Sequence, residues 1–137
     1  MQSKHVLVLA DARCLMAAAV KEAEHRQLEV SVAIVDDHGV LLLLERRDGA
    51  RFHTPDAALL KARTAAVARS STAFLEQQVR DNPATLSFES RMPLTGGLPL
   101  LHAGQVVGGV GSSGAQPEED QAVCEAAVAA MALLAAN

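Results

Sequence analysis

The chain has 137 residues, half of them apolar, and its 12 basic and 16 acidic residues leave a net charge of −4. This length predicts one domain, 1–137, with a sizeable core, and the negative charge argues against a nucleic-acid partner, because affinity for nucleic acid comes largely from neutralised phosphates. Three Phe are the only aromatic residues. We therefore expect a core of Ala, Val and Leu with closely packed helices, and a homo-oligomer, dimeric or larger, rather than a monomer.

The N-terminal segment carries no signal for export or membrane insertion. Its apolar stretch, residues 6–10, is interrupted by Asp11 and is too short for either purpose, so we expect a cytoplasmic protein without membrane contact. The two cysteines, Cys14 and Cys124, fall in alanine-rich helical segments and lack the spacing of a zinc site. Buried, reduced thiols are the simplest interpretation.

The first elements are a helix and a hairpin. Apolar residues recur with helical period over 11–27, where Asp11 is a candidate N-cap. His25 falls in the last turn, and a histidine there is more often a C-terminal cap than a ligand. Strands over 30–35 and 40–44 flank the turn Asp36-Asp37-His38-Gly39, so we expect them to pair directly.

Guanidinium groups cluster after the second strand. Arg46, Arg47 and Arg51 lie within six residues, next to Asp48. Such a cluster can bind carboxylates bidentately, including those of an organic acid or the propionates of a porphyrin. A solvated turn with an Arg–Asp ion pair is the alternative interpretation.

The next helix has a strong start signal. Thr54 is predicted as the N-cap and Pro55 as the first helical residue, which places His53 immediately ahead of the helix. Further along, Lys61 and Thr64 share a face with several alanines. Polar groups on such a face are half-buried and need partners, which are either protein or ligand atoms.

The second half of the chain predicts a short helix over 73–79 and a polar loop over 80–92. A second hairpin follows, with strands over 98–102 and 105–110 that turn at Ala103-Gly104.

A glycine corner, residues 111–114, then leads into a closing helix over 118–136. The order of the elements indicates an α+β fold in which helices cover a mostly antiparallel sheet.

One succession of motifs runs through nearly the whole chain. It consists of Val35-Asp36-x-x-Gly39, Arg46-x-Asp48-Gly49-Ala50, His53-Thr54, Ala58-x-x-Lys61-Ala62-x-Thr64-Ala65, Gly96-Gly97-x-Pro99, Gly104-x-Val106-x-Gly108-x-x-Gly111-x-Ser113-Gly114 and Glu118-x-Asp120. Each motif is weak alone, but their order and spacing are specific. In both, the chain resembles the GlcG/HbpS family, also called the heme-degrading or DUF336 family.

The resemblance implies a profilin-like, three-layer α/β/α fold with about five antiparallel strands, and assembly into dimers or larger rings. It also implies binding of a tetrapyrrole, either heme or a corrinoid, in a carrier, sensor or accessory role. The candidate residues for binding such a ligand are His53, Arg46, Arg47, Asp48, Lys61, Thr64, Gly97, Ser113, Gly114 and Glu118.

A heme needs an axial donor, an apolar slot and cations for its propionates. His53, between the arginine cluster and a buried helix, is the best-placed iron ligand, while His25, His38 and His102 are weaker candidates. The chain has no Tyr, and three Phe offer little aromatic surface for a macrocycle, although Leu and Val can line such a slot.

Two other functions fit the same residues. In a small catabolic enzyme acting on an organic acid, His53 would be the general base, and Lys61 and Arg46 would hold the carboxylate or oxyanion. The second alternative is a structural or regulatory subunit without a ligand, in which glycine and serine serve only turn geometry. All of these ligand hypotheses require the arginine cluster, His53 and the glycine corner to meet at one cavity.

Overall fold

A computed structural model describes residues 1–135 of the chain. In chain order its elements are α1 (Leu9–His25), β1 (Ser31–Asp36), β2 (Leu41–Arg46), α2 (Thr54–Ala68), α3 (Thr72–Asp81), a 3-10 helix (Pro83–Ser87), β3 (Gly97–His102), β4 (Gln105–Ser113) and α4 (Pro117–Ala135). The end of the predicted closing helix, residue 136, lies outside the described residues.

The four strands form one antiparallel sheet in the order β2-β1-β4-β3. Strands β1 and β4 lie at its centre, with Ser31 opposite Ser113 and Asp36 opposite Gly108. Both hairpins turn as their residues predict. The carboxylate of Asp36 accepts the backbone N–H groups of His38 and Val40 at 2.9 and 3.0 Å.

Helices cover both faces of the sheet. Along β1, Val32 and Ile34 point into a large core shared with α1 and α4, whereas Ala33 and Val35 pack against the alanines of α2. This alternation follows from the two-residue period of a strand. It explains why the central strands are apolar on both sides and confirms an α+β fold with an antiparallel sheet.

The sheet has four strands, so the expectation of about five is wrong. The region between α3 and β3 supplies no further strand; it contains the 3-10 helix within the predicted loop, where Asn82 accepts the N–H of Ala84 at its start. The profilin-like relationship stays a prediction.

Two helices have N-caps other than the predicted residues. Helix α1 begins at Leu9, and the carboxylate of Asp11 accepts the N–H of Val8 at 2.9 Å from inside the first turn. Helix α2 has His53 rather than Thr54 as its N-cap, because the Thr54 hydroxyl is turned inward toward buried polar partners. None of the helices described in residues 1–135 is long and apolar enough to cross a bilayer.

Candidate functional site

A cleft of about 240 Å³ opens where β4 ends and α4 begins. Its walls come from five separate parts of the chain: α2 with the turn before it, α3, the segment entering β3, the glycine corner with Ala115, and the start of α4. The lining residues are Arg51, His53, Lys61, Glu76, Leu94, Thr95, Ser113, Gly114, Ala115, Pro117 and Asp120. Sequence-distant polar groups therefore share one concave surface, as a ligand site requires.

The position of His53 is set by its neighbour Thr54. The Thr54 hydroxyl donates to the carbonyl of Arg51 at 2.7 Å and lies 2.8 Å from the hydroxyl of Ser31 on β1. Both hydroxyls are fully buried, so the turn before α2 is fastened to the sheet. The side chains of Arg51 and His53, in contrast, are exposed at the cleft.

Glycines let α2 lie directly on the sheet. A Cβ on Gly111 would overlap the carbonyl oxygen of Ala58, and one on Gly109 would overlap that of Ala62. A Cβ on Gly97 of β3 would lie 2.5 Å from the carbonyl oxygen of Lys61. This close packing brings Lys61 under the glycine corner.

Lys61 is the central polar group beneath the cleft. Its ammonium donates to the carbonyl of Ser112 at 3.0 Å and lies 3.7 Å from Asp120 Oδ2. The other carboxylate oxygen accepts the Ser112 hydroxyl at 3.1 Å. Lys61 is 6% exposed and Asp120 is 2% exposed, so the pair is a buried ion pair with a hydrogen-bonded framework.

Burial raises the pKa of Asp120 to about 6, against the opposing attraction of Lys61 and the hydrogen bond from Ser112. The same burial, with the negative charge of Asp120 next in importance, raises the pKa of the Cys124 thiol. That thiol donates to the carbonyl of Gly96 at 3.2 Å. The cleft is thus lined by a carboxylate, Asp120, that is able to change protonation near neutral pH, and one turn further along α4 lies a buried thiol that does not ionise there.

The arginine cluster, His53 and the glycine corner were expected to meet at one cavity, and only part of this arrangement is present. His53 and the glycine corner, through Ser113 and Gly114, line the cleft with Lys61. Arg46, Arg47 and Asp48 instead line two neighbouring grooves on the other side of the turn. Because Arg51 borders both the cleft and one of these grooves, it is the member of the arginine cluster that reaches His53.

The separation of the arginines has a physical cause. The Arg47 guanidinium lies 3.4 Å from the carboxylate of Glu24 on α1, which draws it toward the opposite face of the sheet from α2. The Arg46 guanidinium lies over the ring of Phe52 at 5.6 Å from its centre. The predicted Arg–Asp pair within the turn is absent among the ion pairs of residues 1–135.

Three other candidates, Thr64, Gly97 and Glu118, do not line the cleft, and the first two serve structural contacts. The Thr64 hydroxyl donates to the carbonyl of Leu60 and accepts the N–H of Met92, and Gly97 exchanges hydrogen bonds with the Thr72 hydroxyl. Glu118 is exposed on α4 and does not line the cleft. The protein itself thus supplies the partners of the buried Thr64.

Asp120 was not predicted as a site residue, because acids in the first turn of a helix are accounted for by the helix dipole. A signal was present: Asp120 precedes Val123, Cys124 and Ala127 with helical spacing, which puts an acid on the buried stripe. Glu76 and Thr95 carried no such signal. Their contact, Thr95 N–H to Glu76 at 3.0 Å, depends on long-range folding.

The remaining histidines lie elsewhere. His25 is exposed in the last turn of α1, and His38 is exposed in the β1–β2 turn, with its ring 3.3 Å from Asp37. His102 lies at the far end of β3, where its ring contacts that of His5. None of these three lines the cleft.

The fold and the cleft define a class: a four-stranded antiparallel sheet between helices, with a small polar cleft between the glycine corner and the start of α2. Residues 7–129 match the family model described as haem degrading protein HbpS-like. The chain belongs to this family, and its resemblance to the GlcG/HbpS proteins is confirmed.

Relatives and solved structures agree with this assignment. The chain is 37% identical to protein GlcG of Escherichia coli over 117 residues, which cover 82% of this chain and 85% of GlcG. It superposes on a double mutant of Streptomyces reticuli HbpS with a TM-score of 0.88 at 32% identity, covering 94% and 89% of the two chains. A complex of PduOC with heme gives a TM-score of 0.84 at 30% identity, covering 92% and 95%.

Proposed function

We propose that this protein binds heme at the cleft, with His53 as the axial ligand. The observation that carries the proposal is the placement of an exposed imidazole, His53, at a cleft shared with the guanidinium of Arg51. A neighbouring structure of the same family is a heme complex, which supports heme as the ligand class. A corrinoid, and a carrier, sensor or accessory role, stay predictions.

The residues present fit such a group. His53 would supply the iron ligand, and Arg51 would supply a cation for a propionate, since Arg51 lines the cleft and forms no ion pair within residues 1–135. Phe52 is 88% exposed, and with Leu94 and Pro117 it offers apolar surface beside the histidine. Bound heme would supply redox-active iron.

The size of the cleft argues for a shared site. Pockets that enclose a drug-sized ligand measure roughly 300–1,000 Å³, and this cleft of about 240 Å³ is smaller. It would hold one edge of a macrocycle and leave the remainder against solvent. We propose that a second copy of the chain covers that remainder in a homo-oligomer, which would also cover the exposed ring of Phe52.

Hemin titration tests the proposal. We expect a saturable Soret shift with the wild-type protein and about tenfold or more weaker binding by His53→Ala, because the variant loses the axial donor. His25→Ala is the matched control, since His25 is also an exposed histidine and lies on α1, away from the cleft. Absence of a saturable shift, or equal effects of the two substitutions, would overturn the proposal.

A second candidate function is proton transfer on a small organic acid. The observation that favours it is Asp120, a buried carboxylate of the cleft whose pKa is raised to about 6, close to the value of an effective general base. Lys61 and Arg51, not Arg46, would then hold the carboxylate of the substrate. Binding of simple carboxylic acids that Lys61→Met abolishes and His53→Ala leaves intact would favour this function over heme binding.

A further inference from the structure

A second site lies at the opposite end of β4 and α4 from the cleft. There a cavity of about 140 Å³ is lined by His5, Val6, Leu7, Asp11, His102, Val107, Met131 and Leu134. It shares no residue with the His53 cleft. Two imidazoles, a carboxylate and a thioether border this one small space.

The two imidazoles are already close to each other. The ring centroids of His5 and His102 lie 4.5 Å apart, with 62° between the ring planes. When two imidazoles bind one metal ion at metal–nitrogen distances of about 2.0–2.1 Å, each centroid lies about 3.2 Å from the metal. At an angle of about 90° the centroids are then about 4.5 Å apart, so the observed separation is compatible with both rings binding one ion at adjacent corners of a square-planar or tetragonal site.

The segment that carries His5 is fixed on both sides of the histidine. The ammonium of Lys4 forms an ion pair with Asp37 at 2.7 Å, and the hydrogen bond from this lysine is the main cause that lowers the pKa of Asp37. Leu7 is buried in the main core, where it packs so closely on β4 that a Cβ on Gly108 would lie 2.7 Å from it. His5 is therefore held beside His102 before any ligand binds, which reduces the entropic cost of forming a site.

The access and the surrounding charge also suit a cation. His5 is exposed and His102 is half-buried, so solvent and ions reach both rings. Asp11 lines the same cavity and adds negative charge, although one of its oxygens is occupied by the N–H of Val8. Met131 contributes a polarisable sulfur to the wall.

We propose that His5 and His102 bind a divalent transition-metal ion, and that Cu(II) is the preferred ion. Imidazole nitrogens suit copper, zinc and nickel, and copper heads the order of affinities among divalent first-row metals. A square-planar or tetragonal arrangement is the preference of Cu(II), whereas zinc favours a tetrahedron. Water would complete the coordination, and Asp11 would stabilise the bound charge.

A second group of possible metal ligands lies near this site, and the experiment has to distinguish binding there from binding at His5 and His102. Asp36, Asp37 and His38 place three ligand atoms within 4.8 Å of one another in the β1–β2 turn. Asp37 is already paired with Lys4, and its carboxylate also lies 3.3 Å from the His38 ring. His38→Ala is therefore the matched control, since it removes an exposed histidine from the adjacent cluster and leaves His5 and His102 in place.

The test is titration of the full chain with Cu(II), followed by isothermal calorimetry and electron paramagnetic resonance. We expect one ion per chain, a tetragonal spectrum and spin-echo modulation from two imidazoles. His5→Ala and His102→Gln should each weaken Cu(II) binding about tenfold or more, and His38→Ala and His53→Ala should leave it unchanged. Zn(II) should bind more weakly than Cu(II).

Three results would overturn the proposal: no binding, a spectrum with at most one imidazole, or loss of binding in His38→Ala instead of the other two variants. The wild-type spectrum reports the ligand set directly, so the test does not depend on how the variants fold. Hemin binding at His53 is measured separately, so the two proposals fail or stand independently.

Discussion

Lys61 Nζ and Asp120 Oδ2 lie 3.7 Å apart beneath the cleft, and both side chains are almost completely removed from solvent. A buried ion pair gains little net stability, because desolvation offsets the attraction between its members. Its hydrogen bonds to Ser112 nevertheless connect α2, β4 and α4 at one point. The ion pair thus holds α2, β4 and α4 together and also lies at the base of the candidate site.

The first prediction concerns the pH dependence of stability. The pKa of Asp120 rises on folding from 3.8 to about 6, so between these values the folded state binds more protons than the unfolded state. Its contribution to stability is therefore present below pH 4 and is lost as pH rises through about 6. A shift of about 2 units corresponds to roughly 3 kcal/mol.

Urea denaturation from pH 4 to pH 7.5 checks this prediction with Asp120→Asn as the comparison. We expect the stability of the wild type, measured relative to the variant, to decrease by up to about 3 kcal/mol across this range. If the ion pair with Lys61 outweighed burial, the relative stability would rise with pH instead. If the stabilities of the wild type and the variant changed with pH in parallel, Asp120 would have an ordinary pKa.

The second prediction concerns removal of one charge of the pair. Lys61→Met leaves the Asp120 carboxylate buried without its cation, so we expect a loss of about 3–5 kcal/mol at pH 7. The double variant Lys61→Met/Asp120→Asn should recover much of this loss, because no unpaired charge remains. A double-mutant cycle of urea midpoints measures the coupling, and strictly additive effects would contradict the interaction.

The close packing of α2 on the sheet gives the third prediction. Gly111→Ala would force its methyl group into the backbone of Ala58, so we expect a loss of about 1–3 kcal/mol or more. Gly104→Ala is the control for positive φ alone, because its φ is 77° and nothing lies within 4 Å of the added Cβ; it should cost about 1 kcal/mol. Thermal denaturation distinguishes them, and equal losses would contradict the packing argument.

The parts of this fold that could be predicted from sequence are those set by local chemistry. The Asp36–Gly39 turn and the Ala103-Gly104 turn form where expected, with positive φ at Gly39, Ala103 and Gly104, because the required backbone angles restrict the residue choice. The helical period also placed several alanines on one face with Lys61, and Ala58, Ala62, Ala65 and Ala66 of α2 are buried. Strand number was overestimated because it was taken from a resemblance and not from the apolar runs.

The candidate site was harder to predict because its members meet only through tertiary contacts. The adjacency of Arg46, Arg47 and Arg51 in sequence suggested one cluster, but Glu24 and Phe52 draw two of them away from the cleft. Asp120 contacts Lys61 only because Gly109 and Gly111 allow α2 to pack directly against β4. Such contacts leave no local pattern in a single sequence.

The fourth prediction concerns Thr54, which fastens the turn before α2 to the sheet. Thr54→Val removes the hydrogen bond to Arg51 and leaves the buried Ser31 hydroxyl without this partner. We expect a loss of about 1–3 kcal/mol in the free energy of unfolding and weaker hemin binding, since Arg51 and His53 lose their anchor. Thr54→Ser retains the hydroxyl, and it should preserve hemin affinity if the hydrogen bond, and not the methyl group, positions the turn.

The fifth prediction separates the two thiols. Cys124 is fully buried, its pKa is raised by burial and by the charge of Asp120, and its Sγ–H donates to Gly96. Cys14 is half-buried on α1. Because only an accessible thiolate reacts, we expect a disulfide reagent to modify one thiol per native chain and two in urea.

The control is Cys14→Ser, which should leave a native protein whose remaining thiol, Cys124, reacts only as fast as the protein unfolds. Rapid native modification of that variant would show that the contact between α4 and Gly96, in the segment entering β3, opens readily, and that Asp120 is less shielded from water than its burial indicates.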